Sequence, residues 1–332
     1  MVKIEDVASL AGVSVATVSR VLNNNYMVSK EKRDKVLEAV KALNYQPNAL
    51  GRNLRRTETK MILVVCTAVI DEAMNGIQDV AKEMGYDVII SYSDKRDSKS
   101  SVKFLENGLV GGVIFLNMLL KNDDMYNICK QYPVVQCGEY IDIPNSYLVS
   151  INDQKAAYEV VSHLIQQGKK RIGFVACDGY DGSPNFSKER ERGYRQALAD
   201  HGIEYIPELR LSGDNTFESG AIAAKHYFGL ENRPDAVFCV LDNIAFGCLN
   251  ALKNFGVSIP DDIAIAGFDN LEISEASEPP LTTVAQPFYE IGRETMKMLV
   301  SLIKGEITLG RQLFLNHQLI IRGSTSKNFK QR

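Results

Sequence analysis

The chain has no tryptophan and only four histidines, His163, His201, His226 and His317, each far from the others. No partner carboxylate or cysteine stands at metal-ligand spacing beside any of them, so neither a zinc site nor a histidine-based acid–base pair can be read here. A G-x-S-x-G elbow and a phosphate-cradling P-loop are also missing, which removes common hydrolase and nucleotide-hydrolase signatures. The cysteines at 66, 129, 137, 177, 239 and 248 include no C-x-x-C pair. Most fall inside apolar runs and read as buried, reduced thiols. No stretch supplies the ~18 uninterrupted apolar residues of a membrane span, and the opening MVKIEDVASL lacks the apolar run of a secretory signal. These absences argue against an enzyme, a metal or organic cofactor, a membrane protein and an exported receptor. A cytoplasmic protein is expected.

What is present is unevenly charged. Residues 1–60 carry eleven Lys or Arg against six Asp or Glu, a net +5, and since the whole chain is −3 the remaining residues carry −8. A basic head on an acidic body predicts that nucleic acid binds the head alone.

The head has a matching pattern. In DVASLAGVSVATVSRVLNNN, residues 6–25, Val7, Ala8 and Leu10 give a first helix its apolar face, and Ala11, Gly12 and Val13 make a tight turn. Ser14 is a good N-cap, and Val18, Val21 and Leu22 bury a second helix. This is a helix-turn-helix. It leaves Val15, Ala16, Thr17, Ser19 and Arg20 to enter a major groove: Val15 and Ala16 against thymine methyls, Thr17 and Ser19 on phosphate or base edges, and Arg20 with the fork that fits guanine O6 and N7. A third helix is predicted from Ser29, with Glu31 in its first turn and Val36, Val40 and Leu43 at helical spacing. The stretch from Pro47 to Arg56 is helix-capable, but roughly ten residues is too short for a stable isolated helix in water.

Beyond residue 60, apolar runs alternate with amphipathic stretches. Runs at 61–69, 87–92, 111–118, 134–138 and 147–151 suit buried parallel strands, with helices expected near 72–84, 98–109, 123–131 and 154–167. A second series runs through 171–177, 209–213, 236–241, 262–269 and 282–286, with helices near 188–201, 217–228 and 243–255. The expected fold is an all-α helix-turn-helix head plus an α/β core of two doubly wound parallel-sheet lobes. Ligands of such sheets bind beyond the carboxyl ends of the strands. That singles out the loop 178–190, Asp242 and Asn243, Asp269 and Asn270, and Gln286, whose carboxylates and amides suit a polyhydroxylated ligand.

Over essentially its whole length the chain resembles the LacI family of bacterial transcriptional repressors, whose core is like that of periplasmic sugar-binding proteins. The likeness is carried by DVA…AGVS…ATVSRVLN, VSKEKRDKVLEAVKALNYQPN at 28–48, residues 49–54, GFDNLEISEASEPPLTTVAQP at 267–287 and IGRETMKMLVSLIKGE at 291–306. The resemblance implies a head at 1–47 and a hinge helix and linker at 48–60. It implies a discontinuous core at 61–326, with lobe one near 61–160 and 290–318, lobe two near 161–289 and 319–326, and a tail at 327–332. It adds Asn48, Leu50, Leu54 and Arg55 as hinge contacts to DNA, Leu54 as a minor-groove wedge. It places Arg190, Asp269 and Gln286 as effector-binding residues.

Three departures bear on the effector. The loop from Val69 to Ala73 is shorter than the family's, Leu241 replaces a common polar residue, and Asn215 stands where an aromatic often packs on ligand, with Phe217 as a substitute. The expectation is a homodimeric repressor of carbohydrate or carbon-metabolism genes, binding a pseudo-palindromic operator in double-stranded DNA. A small-molecule effector, a sugar or sugar phosphate, would control it. The alternative is a DNA-binding regulator whose core only dimerises or binds a protein or purine-like partner.

Overall fold

In a computed structural model, residues 2–22, 28–45, 59–93, 103–117, 122–141, 143–178 and 185–326 are described. The chain divides into two compact units, Met1–Lys60 and Met61–Arg332.

Among its described residues the first unit has three helices, α1 (Ile4–Ala11), α2 (Val15–Leu22) and α3 (Lys30–Ala42). Val7, Ala8, Ala11, Val18, Val21, Val36 and Ala39 close a miniature core. Gly12 ends α1 in the left-handed region at φ 63°, where a side chain is disfavoured, and the Val13 amide bonds back to the Ala8 carbonyl at 3.0 Å. Ser14 caps α2 by accepting from the Thr17 amide at 3.3 Å. One expected core position fails: Leu10 is 57% exposed, because the inward stripe of α1 runs through Val7, Ala8 and Ala11 instead.

Among its described residues the second unit holds two parallel sheets and a two-stranded antiparallel one. The first is six-stranded and parallel, in the order β11-β5-β4-β3-β1-β2, built from β1 (Met61–Cys66), β2 (Asp87–Tyr92), β3 (Gly112–Leu116), β4 (Val134–Cys137), β5 (Tyr147–Ile151) and β11 (Arg311–Leu315). Helices α4 (Asp71–Met84), α5 (Asn122–Gln131) and α11 (Phe288–Ile303) belong to this lobe. The second sheet is parallel with order β7-β6-β8-β9, from β6 (Ile172–Cys177), β7 (Arg210–Gly213), β8 (Ala236–Cys239) and β9 (Ala264–Ala266). It is flanked by α6 (Asp153–Gln166), α7 (Asn185–Asp200), α8 (Phe217–Gly229) and α9 (Asp242–Asn254). A short helix α10 (Glu272–Ala276) and an antiparallel pair, β10 (Thr283–Ala285) with β12 (Gln318–Ile320), complete the second lobe. Strands β1, β3, β4, β6 and β8 are almost wholly buried apolar runs, as sheets covered on both faces require.

The chain crosses between lobes at three places, after β5, after β10 and between β11 and β12. This corrects the expected boundary at 160: α6 packs on α7, β8, β10 and β12, so the first crossing falls at Asn152 and Asp153. Of the helix expected near 98–109, residues 103–106 are helical, and 98–102 lie outside the described residues.

Helix pairs on the sheets approach unusually closely through glycine. A Cβ at Gly76 or Gly292 would meet backbone of the partner helix in the α4–α11 pair at 2.1 Å, and one at Gly193 would meet the Gln154 carbonyl of α6 at 2.1 Å. Sequence periodicity marks such positions only as apolar or small.

Candidate functional site

The head presents a groove-sized helix. On α2, Ala16 and Arg20 are exposed, while Thr17 and Ser19 are half-buried. The Thr17 hydroxyl lies 2.9 Å from that of Ser14, so it is held at the helix start. Val15 is half-buried and packs against the head's core. Asn48, Leu50, Leu54 and Arg55 lie outside the described residues.

In the core, the carboxyl ends of strands from both lobes meet around one guanidinium. Arg190, on α7, is 3% exposed. Its Nε donates to Asp153 Oδ1 at 2.8 Å, its Nη1 donates to the Val240 carbonyl at 2.5 Å, and Asp269 Oδ1 lies 3.7 Å from Nη1. The guanidinium is 3.4 Å from the Phe268 ring centroid and 4.7 Å from that of Phe186, a stacked setting that favours a fixed, desolvated arginine. Asp153 follows β5 and opens α6, so it joins the lobes at their first crossing. Sequence reasoning missed it, since an acid at a helix start reads as ordinary dipole compensation.

Asp269 carries an unusual backbone, φ 113° for a non-glycine residue. Its amide donates to the Val284 carbonyl at 3.0 Å and its Oδ1 accepts from Gln286 Nε2 at 2.7 Å. Backbone strain held in place by such bonds clusters at ligand-contacting positions. Asp269 and Gln286 are therefore brought together with Arg190, as the resemblance implied.

Asp242 is different. It is fully buried, its Oδ1 accepts from the Thr283 hydroxyl at 2.7 Å and its Oδ2 from the Leu271 amide at 2.8 Å. Both oxygens are spent fastening α9 to β10 and to the loop after β9, so the effector-binding reading of Asp242 is corrected to a structural one. Phe217 is 48% exposed at the start of α8 and packs edge-on against Phe246. Asn215 accepts from Asn243 Nδ2 at 3.0 Å, and Leu241 is buried in the core. The connection from β1 to α4 spans only residues 67–70, and Ala73 is already inside the helix.

Burial raises the carboxyl pKa values here. Glu139 is pushed up to about 8, by burial first and then by the nearby Asp153 charge; Asp269 is pushed up to about 7, again mainly by burial, against the pull of Arg190. Between the ordinary carboxylate range and these values, the folded chain holds protons that the unfolded chain has released. Stability therefore falls as pH rises through that window. The melting temperature of the protein is expected to drop from pH 6 to pH 9, and Glu139→Gln to reduce the drop; a flat profile in the parent protein would contradict these pKa values.

The cysteines stay inside, with Cys129 alone partly exposed. His163 bonds to the Thr325 hydroxyl at 2.8 Å and His317 to Glu159 at 2.9 Å, which are structural uses. Among the described residues no group of potential metal ligands occurs, and no helix is long and apolar enough to cross a membrane.

Residues 3–48 match the model for bacterial regulatory proteins of the lacI family, and residues 161–325 match a periplasmic binding protein-like domain. The transcriptional repressor CytR of Escherichia coli is 36% identical over 328 residues, covering 97% of this chain and 95% of its own. The chain belongs to the LacI family. Catabolite control protein A of Priestia megaterium is 33% identical, with 98% of this chain and 99% of its own covered. Among solved structures, a lac repressor dimer bound to operator and an anti-inducer superposes with a TM-score of 0.85 at 27% identity, covering 98% of this chain and 99% of that one. A CelR–cellobiose complex superposes with a TM-score of 0.72 at 30% identity, covering 98% and 100%. This LacI-family chain is accordingly a DNA-binding transcriptional repressor with an effector-binding core, and its family is one of regulators.

Proposed function

We propose that the protein acts as a homodimer on a pseudo-palindromic operator that controls carbohydrate or carbon-metabolism genes, and that a small polyhydroxylated ligand in the interlobe cleft sets its affinity for DNA. The observation that carries this reading is the meeting of Arg190, Asp153, Asp269 and Gln286 where the chain passes between lobes. A ligand held there touches both lobes at once, and so shifts the balance between lobe arrangements with different operator affinities. The relatives' described ligands, cellobiose among them, support a sugar-like effector. Dimerisation is supported by β2, the edge strand of the six-stranded sheet among the described residues, whose Ile90 and Tyr92 are 41% and 65% exposed.

Two experiments test the proposal. Sequencing DNA retained by the purified protein should return an inverted repeat, and Arg20→Ala should relax base preference at one position of each half-site at a cost of roughly 1–3 kcal/mol. Equal losses on operator and random DNA would contradict base reading by Arg20. A ligand found by thermal-shift screening should change operator affinity about 5–150-fold, the usual range of allosteric coupling, and Gln286→Ala should abolish most of that change. Operator affinity that ignores every small molecule tried would return the core to a merely dimerising role.

A further inference from the structure

Among the groups at the cleft, one is assigned by neither the sequence patterns nor the family likeness. Glu139 follows β4 in the first lobe and is 8% exposed. Its Oε1 accepts from the backbone amides of Asn185 and Phe186 at 2.7 and 3.4 Å, the first two of α7 in the second lobe. The first-lobe carboxylate thus occupies the anion-attracting end of the helix that also carries Arg190.

This position is constructed. Gly138 has φ 77°, and a Cβ there would fall 2.1 Å from Asn117 Oδ1. That same Oδ1 accepts from the Glu139 amide at 3.0 Å, the Ser150 hydroxyl donates to the Gly138 carbonyl at 2.7 Å, and the Gly138 amide donates to the Val149 carbonyl at 2.9 Å. Asn117 and Ser150 are therefore both engaged in fixing the peptide that aims Glu139 across the cleft. Asn117 itself follows β3 at a left-handed φ of 45°, a conformation that asparagine tolerates better than most residues.

With Glu139 in place, the guanidinium of Arg190 is paired with Asp153, stands 3.7 Å from Asp269, and is carried by the helix whose first two amides Glu139 holds. The cleft's cation is already paired, and the helix amides that would otherwise receive a phosphate or carboxylate are filled. An incoming anion would have to displace Glu139 from those amides or share the cleft with the carboxyl groups of Asp153 and Asp269, whereas hydroxyl, amine or amide donors meet acceptors.

We propose that Glu139 is a specificity-determining residue of the effector cleft, which closes it to anionic ligands and selects an uncharged or cationic molecule rich in hydrogen-bond donors. This rests on the cleft being the effector site and removes the sugar-phosphate branch of that reading.

The test uses the full chain and the variants Glu139→Ala and Glu139→Gln, both verified as folded by circular dichroism. Inorganic phosphate, and the pairs glucose with glucose 6-phosphate and adenosine with AMP, are followed by thermal shift and calorimetry. At pH 9, where Glu139 is ionised, phosphate, or the phosphorylated member of a pair, should bind Glu139→Ala at least ~10-fold more tightly than the parent protein, because the α7 amides are vacated and one negative charge is gone. Anion binding by the basic head is common to all three proteins and cancels in the comparison. Should the alanine variant fail to fold, the glutamine variant, which keeps the shape and loses the charge, should show a smaller gain of the same sign. Anions binding the parent protein as tightly as the variants, or no gain of anion affinity in any folded variant, would overturn the proposal. The two readings fail separately: operator affinity indifferent to every ligand ends the effector-gated reading, while the phosphate titration still decides the role of Glu139.

Discussion

Arg190→Ala should lower the stability of the protein by about 3–5 kcal/mol, the cost of breaking a buried ion pair by removing one partner. The effect is large because the arginine serves four neighbours. Asp153, 6% exposed, would be left as a buried carboxylate without its guanidinium, the Val240 carbonyl would lose its donor, and Phe186 and Phe268 would face a void. The family likeness implied that Arg190 binds the effector; in the fold it is also part of the framework of the cleft. Pairing Arg190→Met with Asp153→Asn should recover much of the loss, since the uncompensated charge is gone and the apolar volume between the rings is refilled. Chemical denaturation midpoints measure both. A single variant as stable as the parent would show that the ion pair contributes nothing.

Gly220→Ala should destabilise the protein strongly, while Gly229→Ala in the same helix should stabilise it slightly. A Cβ at Gly220 would lie 2.0 Å from the Ile244 carbonyl and 2.6 Å from the Cys248 amide, both backbone atoms of α9 that cannot rotate away. The two helices must separate, so the cost should reach or exceed the roughly 1–3 kcal/mol typical of overpacking. Gly247 makes the reciprocal approach, its Cβ position 2.0 Å from the Phe217 carbonyl, so the two helices are locked from both sides. At Gly229 nothing lies within 4 Å of the added atom and the backbone is not left-handed. There alanine should contribute about 0.4–1 kcal/mol by restricting the unfolded chain. Because Phe217 and Asn243 sit at the starts of these two helices, Gly220→Ala should also disturb the cleft rim. Equal midpoints for the two variants would refute the close approach.

The amino-acid sequence by itself determined the element types and the helix-turn-helix. Local periodicity suffices where an apolar stripe of period 3.6, or a short run buried on both faces, has only one way to hide. It also determined the charge division, and through the family likeness it placed Arg190, Asp269 and Gln286 in one cleft. Tertiary structure decided what those residues are free to do. Asp242 looks in sequence like the ligand acids around it, but Thr283 and Leu271, distant in the chain, consume its oxygens. Asp153 looks like a helix-start acid and is the partner of a buried arginine. Glu139 carries no local signal at all, since its meaning arises only when a crossing chain brings α7 of one lobe against β4 of the other. A carboxylate's role depends on which donors and charges lie within a few ångströms of it. For residues separated by tens of positions in sequence, only the folded chain sets those distances.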